Sequence, residues 1–301
     1  MKNIFITGGQ GQDGKILINL LKKKKIRLNI ISKKKIKSTQ KIKFIKLNLL
    51  NKKNIKKIFF KNKPDVVLHL ASNNPSFNQN NYKLFYQDNL IATKNIFLET
   101  FEANKKAKFI NCSSSQIFKK KSGLVNENSK IIKSSFYTKF RIDSDKSMLK
   151  YKIQNKIKYT NVILFNHDSK FRNKKFIIPR IVDALINKKI SFLENIFKEN
   201  IYADFSHAED ICRGLSKLIF SNTNIDRLIL STNKEISLND IILHTIKKNK
   251  LDIKIIKLKK NKKKSLIGNN NLAKKILKWA PKKNIFQAAN EIYELNISNI
   301  K

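Results

Sequence analysis

Three glycines constrain the start of this chain more than any other feature. Residues 2–7 (KNIFIT) are a short apolar run rich in β-formers, and Gly8, Gly11 and Gly14 follow it at the spacing GxxGxxG. Ile16, Leu17, Leu20 and Leu21 then recur at helical spacing. A strand, a glycine turn and a helix N-terminus in that order make an anion site, because unpaired backbone N–H groups and the helix dipole converge on one point. Glycine is needed there because a Cβ would hold a pyrophosphate off the backbone or force a strained φ. Lying directly after a strand, the pattern reads as a dinucleotide site rather than an ordinary strand-to-helix turn.

Length and composition narrow the rest. A chain of 301 residues can bury a full core and suits one α/β domain with a smaller lobe. The first residues do not read as a secretory signal, since the apolar stretch runs straight into the glycine turn. No apolar run approaches the length of a membrane helix. Cys112 and Cys212 each fall inside a predicted core element, so a reducing, cytoplasmic setting is expected and a disulfide framework is not. The net charge of +44 raises nucleic acid or a membrane surface as partners. Against both, lysine is spread along the whole chain, aromatics are not interleaved with it, and arginine, the better reader of bases, is scarce. Neither partner is expected, although anionic ligands such as nucleotide sugars would be attracted in a salt-dependent way.

Taken in order, residues 27–32 (RLNIIS) read as a second strand. An acidic residue near the end of this strand would hold a ribose 2′-hydroxyl. Here Ser32 is followed by Lys33, Lys34 and Lys35, a cluster that pairs with a 2′-phosphate and so favours NADP, with NAD the alternative. Residues 42–47 give a third strand, with Asn48 and Leu49 at its end near the adenine, and 49–62 a helix. Residues 66–71 (VVLHLA) form a continuous apolar strand of the parallel-sheet kind, in which His69 packs beside the sheet. Residues 89–101 have helical periodicity and lead into a strand at 107–112, with Ser113, Ser114 and Ser115 at its carboxyl end. Strands alternating with helices to about residue 165 predict a Rossmann-type, doubly wound parallel sheet with ligands at the carboxyl ends of its strands. No metal-ligand spacing is visible among the histidines and cysteines.

The order of these signals resembles the extended short-chain dehydrogenase/reductase family. The resemblance is carried by TGGQGQDG at 7–14, HLAS at 69–72, CSSSQIF at 112–118, the tyrosine of SSFYTKFR at 134–141, LFNHDS at 164–169 and DFSHAED at 204–210. The closing segment with Trp279 and Pro281 extends it over nearly the whole chain. Gln12-Asp13, LFNHDS and residues 228–241 are most similar to the GDP-mannose 4,6-dehydratases. These enzymes use NADP to oxidise a sugar at C4, eliminate water across C5 and C6, and return the hydride to C6. The resemblance implies a cofactor domain of residues 1–170 completed by 201–225, and a nucleotide-sugar lobe of 171–200 and 226–301. It also implies a GDP-sugar substrate, GDP-mannose in the first instance, a homodimer or homotetramer, and a role in surface-polysaccharide synthesis.

Residue by residue, the resemblance implies cofactor contacts from Thr7, Gly8, Gly11, Gln12, Asp13, Gly14, Ser32, Lys33, Asn48, Leu49, Leu70, Ala71, Ser72, Tyr137, Arg141, Asn166 and His167. Substrate contacts would come from Ser114, Asn166, Arg172 and Arg180, and His207 and Asp210 would brace a strand–helix junction. Tyr137 is the implied catalytic base at the C4 hydroxyl, and a phenol needs a neighbouring cation to act as one at neutral pH. The family places a lysine four residues on; this chain has Arg141, which keeps the charge but carries a planar fork. Lys139 lies on a different helix face. Ser114 matches the family's Ser/Thr at the C4 oxygen. Gln116 stands where dehydratases have a glutamate that removes the C5 proton, and an amide accepts no proton at neutral pH. Ala203 stands where the family usually has a diphosphate-binding arginine.

These departures leave alternatives open. A nucleotide-sugar 4-reductase or epimerase needs Tyr137 but no base at Gln116, and a decayed homologue kept for binding needs neither.

Overall fold

The computed structural model describes residues 1–34, 36–72, 81–254 and 262–299; Lys35, part of the lysine cluster expected beside a 2′-phosphate, lies outside them. In chain order the elements are β1 Lys2–Thr7, α1 Gln12–Leu21, β2 Ile26–Ser32, β3 Ile42–Lys46, α2 Lys52–Asn62, β4 Val66–His69, α3 Tyr82–Ala103 and β5 Lys108–Ser114. A single 3-10 turn, Ser115–Ile117, follows, then β6 Gly123–Val125, α4 Phe136–Asn155, β7 Lys158–Leu164 and β8 Asn166–Asp168. The remainder comprises α5 Ile177–Ile186, α6 Ile190–Glu199, β9 Ile201–Ala203, β10 Phe205–His207, α7 Ala208–Phe220, β11 Arg227–Leu230 and β12 Ile236–Ser237. It closes with α8 Leu238–Lys248, β13 Lys263–Lys264, β14 Leu266–Gly268, α9 Asn271–Leu277 and α10 Ile285–Ser298.

Seven strands form one sheet in the order β11-β7-β5-β4-β1-β2-β3. The pairs of β1 with β2 and β4, of β2 with β3 and of β4 with β5 are parallel. Sequence-adjacent strands that are not neighbours, and helices between parallel strands, define the doubly wound Rossmann architecture. Apart from the edge strand β3, its strands are buried along most of their length, which is why they read as continuous apolar runs rather than alternating ones.

Contacts divide the chain into two compact units. The first comprises Met1–Lys119, Ser129–Ile163 and Leu215–Leu228. One of its cores gathers Phe5, Phe59, Phe97, Phe101, Phe109 and Tyr159 between sheet and helices, with Phe97 edge-on to Phe101, Phe109 and Tyr159 at 5.1–5.7 Å. The second comprises Lys120–Asn128, Leu164–Gly214 and Ile229–Lys301. Its core packs Ile178, Ile181 and Leu185 of α5, Leu193 and Phe197 of α6, Ile241 and Ile242 of α8, and Ala288, Ala289 and Ile292 of α10. Residues 164–170 and 201–214, which the resemblance groups with the cofactor domain, fall in this second unit, where β9 pairs with β12 and β10 with β8. Residues 226–228, grouped with the lobe, fall in the first. Residues 120–128 fall there too, because β6 pairs with β14 across a long stretch of chain.

Several element starts differ from the periodicity. The helix expected at 89–101 begins at Tyr82, because the Asn81 side chain accepts the Leu84 N–H and caps a further two turns. The helix expected from residue 49 begins at Lys52 behind an Asn51 cap. Among the described residues, no helix is long and apolar enough to cross a membrane.

Candidate active site

The glycine turn is built as its spacing requires, with one addition. Gly8 has φ +73°, and a Cβ there would stand 2.9 Å from the Ala71 nitrogen. Its carbonyl accepts the Gly11 N–H at 3.0 Å, closing the turn just before α1. A Cβ on Gly14 would come within 2.4 Å of the Gly9 Cα, so the first turn of α1 rests directly on the loop backbone. Gly9, which the GxxGxxG spacing leaves out, is equally confined: a Cβ would meet Ile30 Cγ2 at 2.2 Å. A Cβ on Gly11, in contrast, would meet only the Gly8 carbonyl at 3.3 Å. Gln12 is buried at the start of α1 and its amide donates to the Asp13 carboxylate at 3.2 Å.

Beside this turn, the end of β4 is locked by a buried histidine. His69 Nδ1 pairs with Thr7 Oγ1 at 2.8 Å and Nε2 with Thr93 Oγ1 at 3.1 Å, while Thr7 Oγ1 accepts the Ala71 N–H. The chain leaving β4 at Leu70-Ala71-Ser72 is thereby fixed against the glycine turn. Burial, assisted by the Arg141 charge, lowers the His69 pKa to about 3 from 6.5. The unfolded chain takes up this proton below pH 6.5 and the folded one does not, so the stability His69 contributes is complete above 6.5 and is lost as pH falls towards 3. A full shift of this size is worth on the order of 5 kcal/mol. Urea midpoints measured from pH 7 to pH 4 should therefore fall less steeply for His69→Gln than for the wild type; equal slopes would refute the assignment.

A cavity of about 330 Å³ opens in front of the glycine turn. Gly8, Gly11, Ser32, Lys33, Asn48, Leu49, Ala71 and Ser72, all expected cofactor contacts, line it together. Thr7, Gln12, Asp13, Gly14 and Leu70 stand in or beside the same turn without lining the cavity. Sequence reasoning missed Gly9, Gln10 and Ile31, as well as Asp88, Asn89 and Ala92, which α3 brings to the wall. The Ser32 hydroxyl is engaged in a tight turn, donating to the Lys34 carbonyl at 2.8 Å and accepting the Lys34 N–H at 3.0 Å. Among the described residues of the lining, Lys33 is the exposed cation and Asp88 the carboxylate.

Tyr137 and Arg141 sit one turn apart on α4, which starts in a capping box of Ser135 with Thr138. Arg141 Nη2 donates to the Tyr137 hydroxyl at 3.4 Å, and Nη1 donates to the Cys112 carbonyl near the end of β5. The guanidinium also lies 4.7 Å from the Phe140 ring centroid and 5.2 Å from that of Tyr137. One fork thus fastens the phenol and the carboxyl end of β5 to each other, which a single ammonium could not do in the same way. Ser114 ends β5 half-buried, its Oγ accepting the Gln116 N–H at 3.3 Å, and Gln116 is exposed on the 3-10 turn. The Lys139 ammonium lies 5.0 Å over the Tyr86 ring, on a different side of the helix from the Tyr137–Arg141 pair.

The remaining site candidates belong to the second unit. Residues 166–168, of which Asn166 and His167 are expected cofactor contacts, form β8 because they pair with β10. Asn166 is exposed and its amide donates to the Asp204 carbonyl at 3.4 Å; His167 is buried, with Nδ1 2.6 Å from the Phe165 carbonyl. Arg172 is paired with the buried Asp168 at 3.0 Å and stacks 3.5 Å over Phe176, so its charge is largely committed within the fold. Arg180 is exposed on α5, 4.8 Å over the Phe192 ring. His207 pairs with Glu291 at 3.2 Å and accepts the Glu209 N–H, with burial lowering its pKa. Asp210 accepts the N–H groups of Lys282 and Lys283 at 2.8 and 2.6 Å, and its own carbonyl receives the Trp279 indole N–H at 3.0 Å. Asp204 accepts from Thr232 N and Oγ1, Asn233 N and Gly268 N, and burial raises its pKa against these bonds. These acidic groups tie segments together rather than facing a ligand. Among the described residues, no cluster of His, Cys, Asp and Glu is placed to hold a metal ion.

Solved structures share the whole architecture. UDP-glucose 4-epimerase from Thermotoga maritima, solved with UDP-glucose, matches with a TM-score of 0.82 at 15% identity over 99% of this chain and 100% of that one. dTDP-glucose 4,6-dehydratase from Bacillus anthracis, in complex with NAD, gives 0.81 at 16% identity over 99% and 97%. RMD from Pseudomonas aeruginosa, complexed with NADPH, gives 0.78 at 16% identity over 98% of both chains. At such identities the likeness establishes the fold alone. No curated protein matches the chain. The sequence pattern of the GDP-mannose 4,6 dehydratase family, however, matches residues 5–292, and the chain belongs to that family of extended short-chain dehydrogenases/reductases.

Proposed function

We propose that this chain is a nucleotide-sugar-modifying enzyme working with NADP, of the GDP-mannose 4,6-dehydratase kind. The observation that carries the reading is the Tyr137–Arg141–Cys112 arrangement: a phenol held by a guanidinium that also grips the strand ending in Ser114. A dinucleotide fits the cavity of the first unit. Its glycine turn leaves a cradle that a Cβ on Gly8 would disturb, and Ser32, Lys33, Asn48, Leu49, Ala71 and Ser72 offer walls for ribose, phosphate and adenine. The nicotinamide bound there would supply the acceptor, and later the donor, of a hydride. Tyr137 would take the proton from the sugar's C4 hydroxyl, with Arg141 stabilising the phenolate and Ser114 bonding the C4 oxygen. Asn166, Arg172 and Arg180 are the proposed contacts to a GDP-sugar, GDP-mannose first among them. A homodimer or homotetramer working in the cytoplasm on surface-polysaccharide precursors completes this reading.

Gln116 favours a second reading. Its exposed amide occupies the place of the C5 base and holds no lone pair basic enough for the task. A 4-reductase or epimerase of the same fold uses Tyr137 alone. The discriminating measurement is the product mass after incubation with NADP and GDP-mannose. Loss of one water establishes dehydration and requires a base other than Gln116. Unchanged mass with NADP bound rejects it, and 4-keto sugars become the substrates to assay.

Lys33 gives the cofactor preference its own test. Lys33→Glu should lower the ratio of NADP to NAD affinity at least about tenfold, the equivalent of roughly 1.4 kcal/mol, by setting a carboxylate against the 2′-phosphate. Titration of both dinucleotides by protein fluorescence measures it; an unchanged ratio would show that Lys33 does not reach that phosphate.

A further inference from the structure

The first unit carries a second large concavity that the proposed chemistry does not use. It has a volume of about 700 Å³ and lies at the amino ends of β1 and β2, whereas the glycine turn lies at their carboxyl ends. Its lining includes Lys22, Lys23, Lys24, Lys25, Arg27, Lys41, Lys43 and Lys61, all exposed, and among the described residues contains no aspartate or glutamate.

Lysine is common throughout this chain, so the balance of charge distinguishes the groove better than the number of cations. Elsewhere a minority of exposed lysines meet carboxylates, as in Lys52–Glu99, Lys133–Asp143, Lys189–Asp183 and Lys263–Glu199, and the hollow lined by Lys52, Lys53 and Lys56 also holds Glu99 and Glu102. None of the eight groove cations forms an ion pair among the described residues. Single members have ordinary structural reasons: lysines after α1 complement its dipole, and Lys43 protects an edge strand. Those reasons do not gather eight like charges around one concavity, where their mutual repulsion is relieved by a bound anion. The floor beneath them is firm. The Asn29 amide donates to Asn3 Oδ1 at 2.7 Å, the Asn3 amide donates to the Asn62 carbonyl, and the Asn3 N–H donates to Asp65 at 2.7 Å.

We propose that this groove binds a linear polyanion through charge alone, specifically a polyphosphate chain without bases. Seven of the eight cations are lysines, point charges that read phosphate without demanding a planar partner. Among the described residues the lining has no aromatic ring on which a base could stack, which weighs against a nucleic-acid strand. Its concavity suits a chain better than the flat surface of a bilayer.

The test compares two variants of equal net charge. One carries Lys22→Glu, Lys24→Glu, Lys41→Glu and Lys61→Glu; the other carries Lys188→Glu, Lys198→Glu, Lys247→Glu and Lys248→Glu on exposed sites of the second unit. Binding of inorganic polyphosphate is measured against salt, with circular dichroism confirming that each variant is folded and a Lys→Gln set at the groove positions as a milder alternative. The groove variant should lose at least about tenfold in affinity and flatten the salt slope by roughly 3, while the distant variant keeps wild-type binding. Equal losses in the two variants would reduce the effect to net charge and overturn the proposal. So would wild-type binding by the groove variants, or a groove that retains an oligonucleotide or anionic vesicles but not polyphosphate.

Discussion

A Tyr137→Phe variant is expected to lose about 10²–10⁴ in turnover while binding dinucleotide nearly as well as the wild type. The substitution removes one hydroxyl and leaves the ring, so the edge-on packing of residue 137 against Phe140 at 5.5 Å should survive. It deletes the acceptor of the Arg141 Nη2 hydrogen bond but not the anchor of that guanidinium on the Cys112 carbonyl. Turnover by product mass and dinucleotide affinity by titration give the two readouts. A loss confined to kcat identifies the hydroxyl as the group that moves a proton; parallel losses in both would assign Tyr137 to cofactor binding; no loss would remove it from the chemistry.

The second large effect concerns the loop backbone. Gly14→Ala places a Cβ within 2.4–2.6 Å of three Gly9 backbone atoms, so α1 and the loop must separate. Overpacking of this kind costs roughly 1–3 kcal/mol where the surroundings give way. Here the surroundings are backbone, and the movement opens the turn that would cradle the pyrophosphate. Gly14→Ala should therefore lower the melting temperature by several degrees and abolish measurable dinucleotide binding. Gly11→Ala meets one carbonyl oxygen at 3.3 Å, at φ −70°, and should bind within a few-fold of the wild type. The reverse order of severity would show that dinucleotide contact, and not loop packing, sets the glycine requirement.

That contrast also shows what the sequence could and could not disclose. The strand–glycine–helix order was legible because it is local: residues 2–21 carry their own periodicity and their own turn. Gly9 was not, because its confinement comes from Ile30 on the neighbouring strand β2. Asn89 and Ala92 read only as members of a helix, and Asp88 falls outside it; their place at the cavity depends on how α3 lies across the sheet. Tyr137 and Arg141 were visible as a pair one turn apart, whereas the grip of Arg141 on Cys112 joins residues 29 apart in sequence. Arg172 was read as a cation available to phosphates, and its engagement with Asp168 and Phe176 emerges only from the folded loop. Residues 120–128 gave no sign of joining the second unit, since their partner strand β14 begins at Leu266.

The Asp204 carboxylate couples the opening of three separate stretches of the second unit. Three stretches of chain, at 204, 232–233 and 268, meet on its two oxygens, and each satisfies part of the cost of burying the others' polar groups. Each that peels away takes a hydrogen bond from the buried carboxylate, which raises the cost of its separate excursion. In hydrogen exchange the amides of Thr232, Asn233 and Gly268 should consequently share one opening free energy, and Asp204→Asn should lower all three together.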